Sequence, residues 1–390
     1  MRFDINDNKL TIYLEGRIDS NNAVERENEI FDIISNNPYE KLVLDLETLE
    51  YISSAGLRII LKVKKQEANV ELINVNTEIY DIFDMTGFAE MMTIKKAYKK
   101  ISIEGCEKIG EGANGSVYRV DPETIVKVYK NPDSFADIER ERKLAKKAFV
   151  LGIPTAISYE IAKIGDNYGT VFELLNAKSF ASLLKEDPSK IDEYVKLYVD
   201  LLKKIHSTVV DDNSFDDMRE TAISWAMFDK DYLPKEIGDK LVELVKAVPH
   251  STHMLHGDYH VKNVLMQNGE VLLIDMDTLC VGNPIFELGS MFNAYKGFAA
   301  LNDSVSLAFM GLPSEICVAF WKKTLKAYLN TDDEKVISEV EDKARVVGYM
   351  RLLRRLIRRG GNDGVFTEKD LEFYKKKLIE LVPTIDSLKI

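Results

Sequence analysis

His256-Gly257-Asp258-Tyr259-His260-Val261-Lys262-Asn263, followed by the apolar run Leu272-Leu273-Ile274 and then Asp275, constrains this chain more than any other stretch. A fold that contains it must set a polar loop beside the end of a strand. An Asp and an Asn on one loop, with a second Asp at the strand end, are the groups that phosphoryl transfer needs. One carboxylate orients an attacking hydroxyl and relieves it of its proton. An amide oxygen and the second carboxylate hold the metal that bridges nucleotide phosphates.

Upstream, Ile109-Gly110-Glu111-Gly112-Ala113-Asn114-Gly115-Ser116 contains a GxGxxG pattern. Gly-rich turns are common, so the context separates two readings. A dinucleotide fold starts a helix directly after the glycines. Here residues 116–120 read as a strand, Asp121-Pro122-Glu123 as a turn, and Thr124–Tyr129 as a second strand. A Gly-rich loop between two strands is the kinase arrangement, with Gly110, Gly112, Asn114, Gly115 and Ser116 over the phosphates. Lys127 lies inside the second strand, where an ammonium needs a partner. A helix over about residues 134–151 offers Glu139 and Glu141. Glu141 shares its face with Ile138, Leu144, Ala145 and Ala148, so it is the carboxylate aimed at the sheet. In kinase-like folds the segment after a strand such as Tyr168–Glu173 offers main-chain groups to the purine, here at Glu173 and Leu175.

The first hundred residues alternate strands and helices, which implies helices packed on a sheet. Leu10, Ile12 and Leu14 mark one strand, 42–46 a second and 70–73 a third. Asp19 and Ser20 are expected to cap a helix over Ala23–Ile34, and Asn76 one near Ile79–Phe83. With Tyr51-Ile52-Ser53-Ser54-Ala55-Gly56-Leu57 at a strand-to-helix turn, this order resembles the STAS family, typified by anti-sigma factor antagonists. The resemblance implies a regulatory or docking domain with a protein partner, and a phosphorylation site at Ser54. Ser53 stands where the family's loop often has Asp. Two readings stay open: a phosphate on Ser54 favoured by the helix N-terminus, or a serine that only caps the helix.

The chain has 390 residues, 45% of them hydrophobic, which is ample for two or three domains. A formal charge of −12 makes it a poor nucleic-acid binder. Cys106, Cys280 and Cys317 are too far apart for a CxxC pair, which suits a reducing cytoplasm. No apolar run approaches the ~20 residues of a membrane span. The start, MRFDINDNKL, lacks a basic stretch followed by an apolar one, so no leader is expected.

Residues 105–390 as a group resemble the aminoglycoside phosphotransferase/choline kinase-like enzymes, through His-Gly-Asp-x-His-x-x-Asn and the Ile-Asp that follows. The resemblance implies ATP and Mg²⁺ as cofactors, Asp258 as the catalytic carboxylate, Asn263 and Asp275 as metal ligands, and His256 and His260 as braces of the loop. Asp277 could approach the metal or bond to the loop. Eukaryotic-type protein kinases carry Arg where this chain has Gly257, and an activation segment where it has 281–288. A small-molecule acceptor is therefore expected. A zinc cluster of His253, His256 and His260 fits poorly with Asp258 between them.

Downstream, Arg345, Arg351, Arg354, Arg355, Arg358 and Arg359 crowd a helix over about 343–359. Either they form a solvated basic face, or some bind an anionic substrate. The expected layout is an α/β STAS-like domain (residues 1–100, helices on a mixed sheet) and an α+β two-lobed kinase-like domain. The latter has an N-lobe (101–175) and a C-lobe with a helical acceptor-binding region (176–390). The expected activity is ATP-dependent phosphorylation of a small molecule. The alternatives are a signalling protein kinase acting on a STAS serine, its own Ser54 included, and a nucleotide-binding pseudokinase.

Overall fold

The computed structural model describes residues 1–112, 115–131, 134–210, 214–301, 303–360 and 367–390. Asn114 of the Gly-rich loop lies outside the described residues. Two compact units emerge: Met1–Glu104 with Ile161–Gly169, and Gly105–Glu160 with Thr170–Ile390.

In the first unit, strands β1 (Phe3–Asn6) and β2 (Lys9–Tyr13) form a hairpin whose turn residues, Asp7 and Asn8, adopt positive φ. Short polar side chains tolerate that region. A short parallel pair, β3 (Gly16–Ile18) and β5 (Leu49–Ile52), stands apart. Strands β4 (Lys41–Asp45), β6 (Glu71–Val75) and β7 (Thr93–Lys96) extend the hairpin in the order β1-β2-β4-β6-β7, parallel from β2 onward. Helices α1 (Ala23–Asn36), α2 (Ser54–Gln66), α3 (Thr77–Met85) and α4 (Phe88–Met91) cover it. They bury Ile30, Ile60, Val63 and Phe83 against Leu10, Ile12, Leu44 and Leu72. Asn76 caps α3 as expected, accepting from Ile79 N. The start of α1 differs: Asn22, not Asp19 or Ser20, sits at the N-cap. The Asp19 carboxylate is spent on Asn21 N, which delays the helix.

The second unit opens with β9 (Glu107–Glu111), β10 (Gly115–Arg119) and β11 (Thr124–Tyr129), paired antiparallel. Helix α5 (Phe135–Val150) follows, then β12 (Ser158–Ile164) and β13 (Asn167–Glu173), giving the order β12-β13-β11-β10-β9. The short β8 (Lys99–Lys100) registers with Ala162 and Lys163 of β12. That pairing groups Ile161–Gly169 with the first unit, although the sequence suggests a lobe running unbroken over 101–175.

The remainder is mainly helical. Strand β14 (Lys178–Ser179) leads into α6 (Phe180–Glu186) and α7 (Ile191–Ser207). Strand β15 (Asp216–Asp217), α8 (Met218–Lys230) and α9 (Lys235–Lys246) come next. Then come β16 (Met254–Leu255), the hairpin β17 (Val264–Gln267) and β18 (Glu270–Leu273), and β19 (Cys280–Val281). The chain ends with α10 (Pro284–Phe292), α11 (Asp303–Met310), α12 (Ser314–Leu329), α13 (Glu334–Arg358) and α14 (Glu368–Leu381). Tyr198, Tyr259, Tyr295, Phe320 and Trp321 form a fully buried aromatic centre. Gly348 lets α13 lie close on α10, because a Cβ there would meet Gly289 O at 2.8 Å. That close approach sets the next turn of α13, with Arg351, beside the 256–263 loop. Among the described residues, no single helix is long and apolar enough to cross a membrane.

Candidate active site

The 256–263 loop is held by its own backbone donors. Buried Glu287, on α10, accepts from His256 N at 2.6 Å, Gly257 N at 3.1 Å and Tyr259 N at 3.3 Å. Burial opposes its charge, but His206, His256 and those N–H groups outweigh it and hold its pKa below the usual range. Gly257 turns at φ 82°, and a Cβ would lie 2.4 Å from Thr278 O, so only glycine fits. Below the loop, Tyr198 and Tyr259 each donate a hydroxyl to the other's main-chain carbonyl, and Tyr295 Oη accepts from Val261 N.

This scaffold presents Asp258. His260 Nε2 lies 3.4 Å from its Oδ2, and 38% of the carboxylate side chain remains exposed. The group is ringed by protein yet open to solvent on one side. Burial works against ionisation, but the His260 contact and the charge of Arg351 keep the carboxyl well below its ordinary pKa. His256 accepts from Asp258 N at Nδ1, so its Nε2 is the protonated nitrogen and donates to Ile274 O at 3.2 Å. The expected bracing by His256 and His260 is thus visible as two distinct contacts.

Asn263 Nδ2 donates to Asp258 O at 3.0 Å, and Ile274 N donates to Asn263 O at 3.0 Å. Asp275 follows directly, at φ 62° and ψ 66°. A non-glycine residue there costs on the order of 1–3 kcal/mol and is a mark of functional sites. Its Oδ1 receives Lys127 Nζ at 2.8 Å. The same ammonium reaches Glu141 Oε1 at 3.0 Å, and Tyr129 Oη also donates to Glu141. Burial would lower the Lys127 pKa, but the Glu141 and Asp275 charges raise it above the ordinary lysine value. Glu139, the alternative carboxylate, is only half-buried, whereas Glu141 is 5% exposed.

The donor set suits a hard cation. The Asn263 amide nitrogen is already spent, which leaves its oxygen, and Asp275 adds a carboxylate that is 42% exposed. Oxygen donors of this kind fit Mg²⁺. Asp277 stands close by; burial and then the Asp275 charge push its carboxyl up to about 6. Among the described residues no group of three or more His, Cys, Asp or Glu side chains is arranged to hold a metal, which leaves the zinc reading without support.

The Gly-rich loop closes through Gly112 N to Gly115 O at 2.9 Å. A Cβ on Gly115 would stand 2.4 Å from Val128 O, so the hairpin needs glycine there. Gly110 and Ser116 lie on the paired strands, Gly110 facing Val117 and Ser116 facing Val128. At the other end of the sheet, Leu174 N donates to Glu123 O at 2.6 Å. In an extended chain the main-chain groups of Glu173 and Leu175 then point the opposite way.

Two contributors were not anticipated, and a third, Arg351, has a role other than those expected. Glu287 is one, and its signal is a lone carboxylate in the apolar run Ile285-Phe286-Glu287-Leu288. Arg140, on α5, reaches Asp277 O and pairs with Asp216. Arg351 donates to Gly257 O at 3.0 Å and to Ser290 Oγ at 2.6 Å, so this arginine braces the loop and is not part of a solvated face. The basic helix is also longer than expected: Asp333 caps it, and Ile337 and Val340 bury its first turns. In the first unit, Ser53 Oγ accepts from Ala55 N and Gly56 N, while Ser54 is the exposed first residue of α2.

Comparison with known proteins gives a consistent picture. The model of the phosphotransferase enzyme family matches residues 105–309, more than half of the chain, and that of the STAS domain matches 1–101. BtrV of Bordetella bronchiseptica, provisionally described as an anti-sigma factor antagonist, is 34% identical over 92 residues, 23% of this chain and 78% of its own length. A thermostable mutant of aminoglycoside phosphotransferase APH(4)-Ia, in a ternary complex with ADP and hygromycin B, superposes with a TM-score of 0.50 at 12% identity. That match covers 73% of this chain and 97% of the other, and shows the fold alone. A choline/ethanolamine kinase family protein from Mesorhizobium loti covers 71% of this chain and 87% of its own at 13% identity, with a TM-score of 0.46.

Proposed function

The chain belongs to the phosphotransferase enzyme family and carries an N-terminal STAS domain, and on that premise we propose that it transfers the γ-phosphoryl group of ATP to a hydroxyl or amine of a small molecule. The observation that carries this reading is one connected set of contacts: Glu141 to Lys127, Lys127 to Asp275, Ile274 to Asn263 and Asn263 to Asp258. A protein of the same fold was solved with ADP and hygromycin B, which agrees with nucleotide binding by this fold. The Gly-rich loop and Lys127 bind the phosphates, and Glu173 and Leu175 offer main-chain groups to the base. Asn263 and Asp275 would hold Mg²⁺, which when bound supplies neutralisation of phosphate charge.

Asp258 orients the acceptor. The acceptor's hydroxyl oxygen, or amine nitrogen, bonds to the γ-phosphorus as the bond from that phosphorus to the β–γ bridging oxygen breaks, and ADP leaves with the electron pair. The acceptor's proton passes to the Asp258 carboxylate as the new bond forms. A carboxylate of low pKa is a weak base, so most of the rate comes from positioning and electrostatics. A reaction fed by ATP suits the cytoplasm, and the STAS domain suits docking to a protein partner.

Asp258→Ala should lower turnover by about 10²–10⁴-fold, the share expected of general base catalysis. Nucleotide affinity, measured by calorimetry, should barely change. Wild-type turnover in that variant sinks the assignment. A second reading, in which the kinase domain acts on a STAS serine, is favoured by one observation: Ser53 takes the capping role and Ser54 remains exposed. Incubation with γ-labelled ATP separates the two. Label on wild-type protein that disappears in both Ser54→Ala and Asp258→Ala supports the second.

A further inference from the structure

The stripe of arginines on α13 begins at the candidate active site. Arg351 is bonded to Gly257 O, one residue before Asp258. Arg354 and Arg358 follow at helical spacing of three and seven residues, about 4.5 and 10 Å further along the axis at 1.5 Å per residue. The guanidiniums of Arg351 and Arg354 both stand over the face of Trp225 on α8, 5.7 and 5.6 Å from its ring centroid. Among the described residues neither Arg354 nor Arg358 has a carboxylate within ion-pairing distance.

The group nearest to balancing them is Asp229, also on α8. It is fully buried, and both of its oxygens lack hydrogen-bond partners. Burial pushes its carboxyl up to about 8, with the Arg354 charge opposing. At neutral pH it is mostly an uncharged acid. Burial and then the charge of Arg358 both lower the Arg354 pKa. In a chain of net charge −12, this is a local excess of positive charge with an aromatic floor, one and two helical turns along from Arg351, whose charge acts on Asp258. Guanidinium forks match carboxylate and phosphate oxygens. A cationic acceptor would meet repulsion from the same stripe.

We propose that the acceptor carries an oxyanion, a carboxylate or a phosphate, in addition to the group it presents to Asp258, and that Arg354, over Trp225, and Arg358, one turn further along α13, bind that oxyanion. This rests on the phosphotransferase reading and names its substrate class.

Two measurements test it, both on the full chain. The first needs no turnover. Tryptophan fluorescence is followed with Mg²⁺ and a non-hydrolysable ATP analogue present, while inorganic phosphate, and separately a simple hydroxy acid, are titrated in. A saturable change that is lost in Trp225→Phe and weakened at least tenfold in Arg354→Gln/Arg358→Gln supports the proposal. Which of the two anions gives the change distinguishes a phosphate from a carboxylate ligand. A folded wild type, with unchanged circular dichroism, that gives no saturable change with either anion overturns it. So does a change of equal affinity in the double variant.

The second measurement compares matched acceptors, such as a sugar, its phosphate, its acid and its amino form. The expected result is turnover chiefly with the anionic members, and a KM for them raised at least tenfold in Arg354→Gln with the ATP KM held. Turnover that favours the amino form overturns the acceptor class and leaves the phosphotransferase reading standing. Absence of MgATP binding by calorimetry sinks that reading instead.

Discussion

Asp229 shows how far one side chain can depart from its usual chemistry. In the unfolded chain it ionises near the ordinary aspartate value of about 3.9. In the fold, burial raises it to about 8. Between those values the folded protein keeps a proton that the unfolded chain has released, so stability falls as pH rises through the window. Each pH unit costs up to about 1.4 kcal/mol, with the full advantage present only below about pH 4. Asp229→Asn has no such dependence. Its thermal midpoint should exceed that of the wild type at pH 8 and match it near pH 4; parallel pH profiles would rule this account out. Lys127 is the converse case, an ammonium stabilised by two carboxylates. Removing one partner of a buried pair leaves the other uncompensated, at about 3–5 kcal/mol. Lys127→Met should therefore destabilise the protein as well as weaken nucleotide binding, and denaturant titration without nucleotide would reveal the structural part. Lys127 could be picked out along the chain, and Asp229 could not. Only the fold shows that one lacks partners and the other has two.

Secondary elements explain why the loop around Asp258 holds its shape. Helix α10 contributes one carboxylate, Glu287, that satisfies three main-chain donors of that loop. An unsatisfied buried donor costs about 1–3 kcal/mol. Glu287→Gln replaces one accepting oxygen with an NH₂ that faces other donors. Turnover should fall by more than nucleotide affinity does, and the unfolding midpoint should drop by several degrees. The pKa of Glu287 is depressed in the fold, so its stabilisation is full above the ordinary carboxylate range and is lost as pH falls below about 4. The wild type should thus lose more stability than the variant between pH 5 and 3, as followed by thermal melts. The strands and helices themselves were largely legible, because alternation and 3.6-residue spacing are local signals. Helix starts were less so. Asp19 was a sound capping residue by composition, but its carboxylate serves the preceding turn.

Taken together, the two units carry separate hydrophobic cores, one built around Leu10, Ile12 and Leu44, the other around Tyr198, Tyr259 and Trp321. Separate cores of this kind depart from two-state unfolding. Calorimetry should resolve two transitions. Saturating MgATP should move only one of them, by about 2.7 kcal/mol at a hundredfold excess over Kd. A single transition, or an equal shift in both, would contradict this. The sequence alone determined the two kinds of domain, and it singled out the candidate site residues, since Asp258, Asn263 and Asp275 fall within one loop and the hairpin that follows, and Glu141 within a turn-and-helix of Lys127. Tertiary structure decided the contacts that span long separations: Lys127 to Asp275 across 148 residues, and Arg351 to Gly257 across 94. No periodicity encodes such a pairing. The contact of Arg351 follows from how closely α13 packs on α10, and that closeness depends on a glycine whose purpose is visible only when its neighbour is in place.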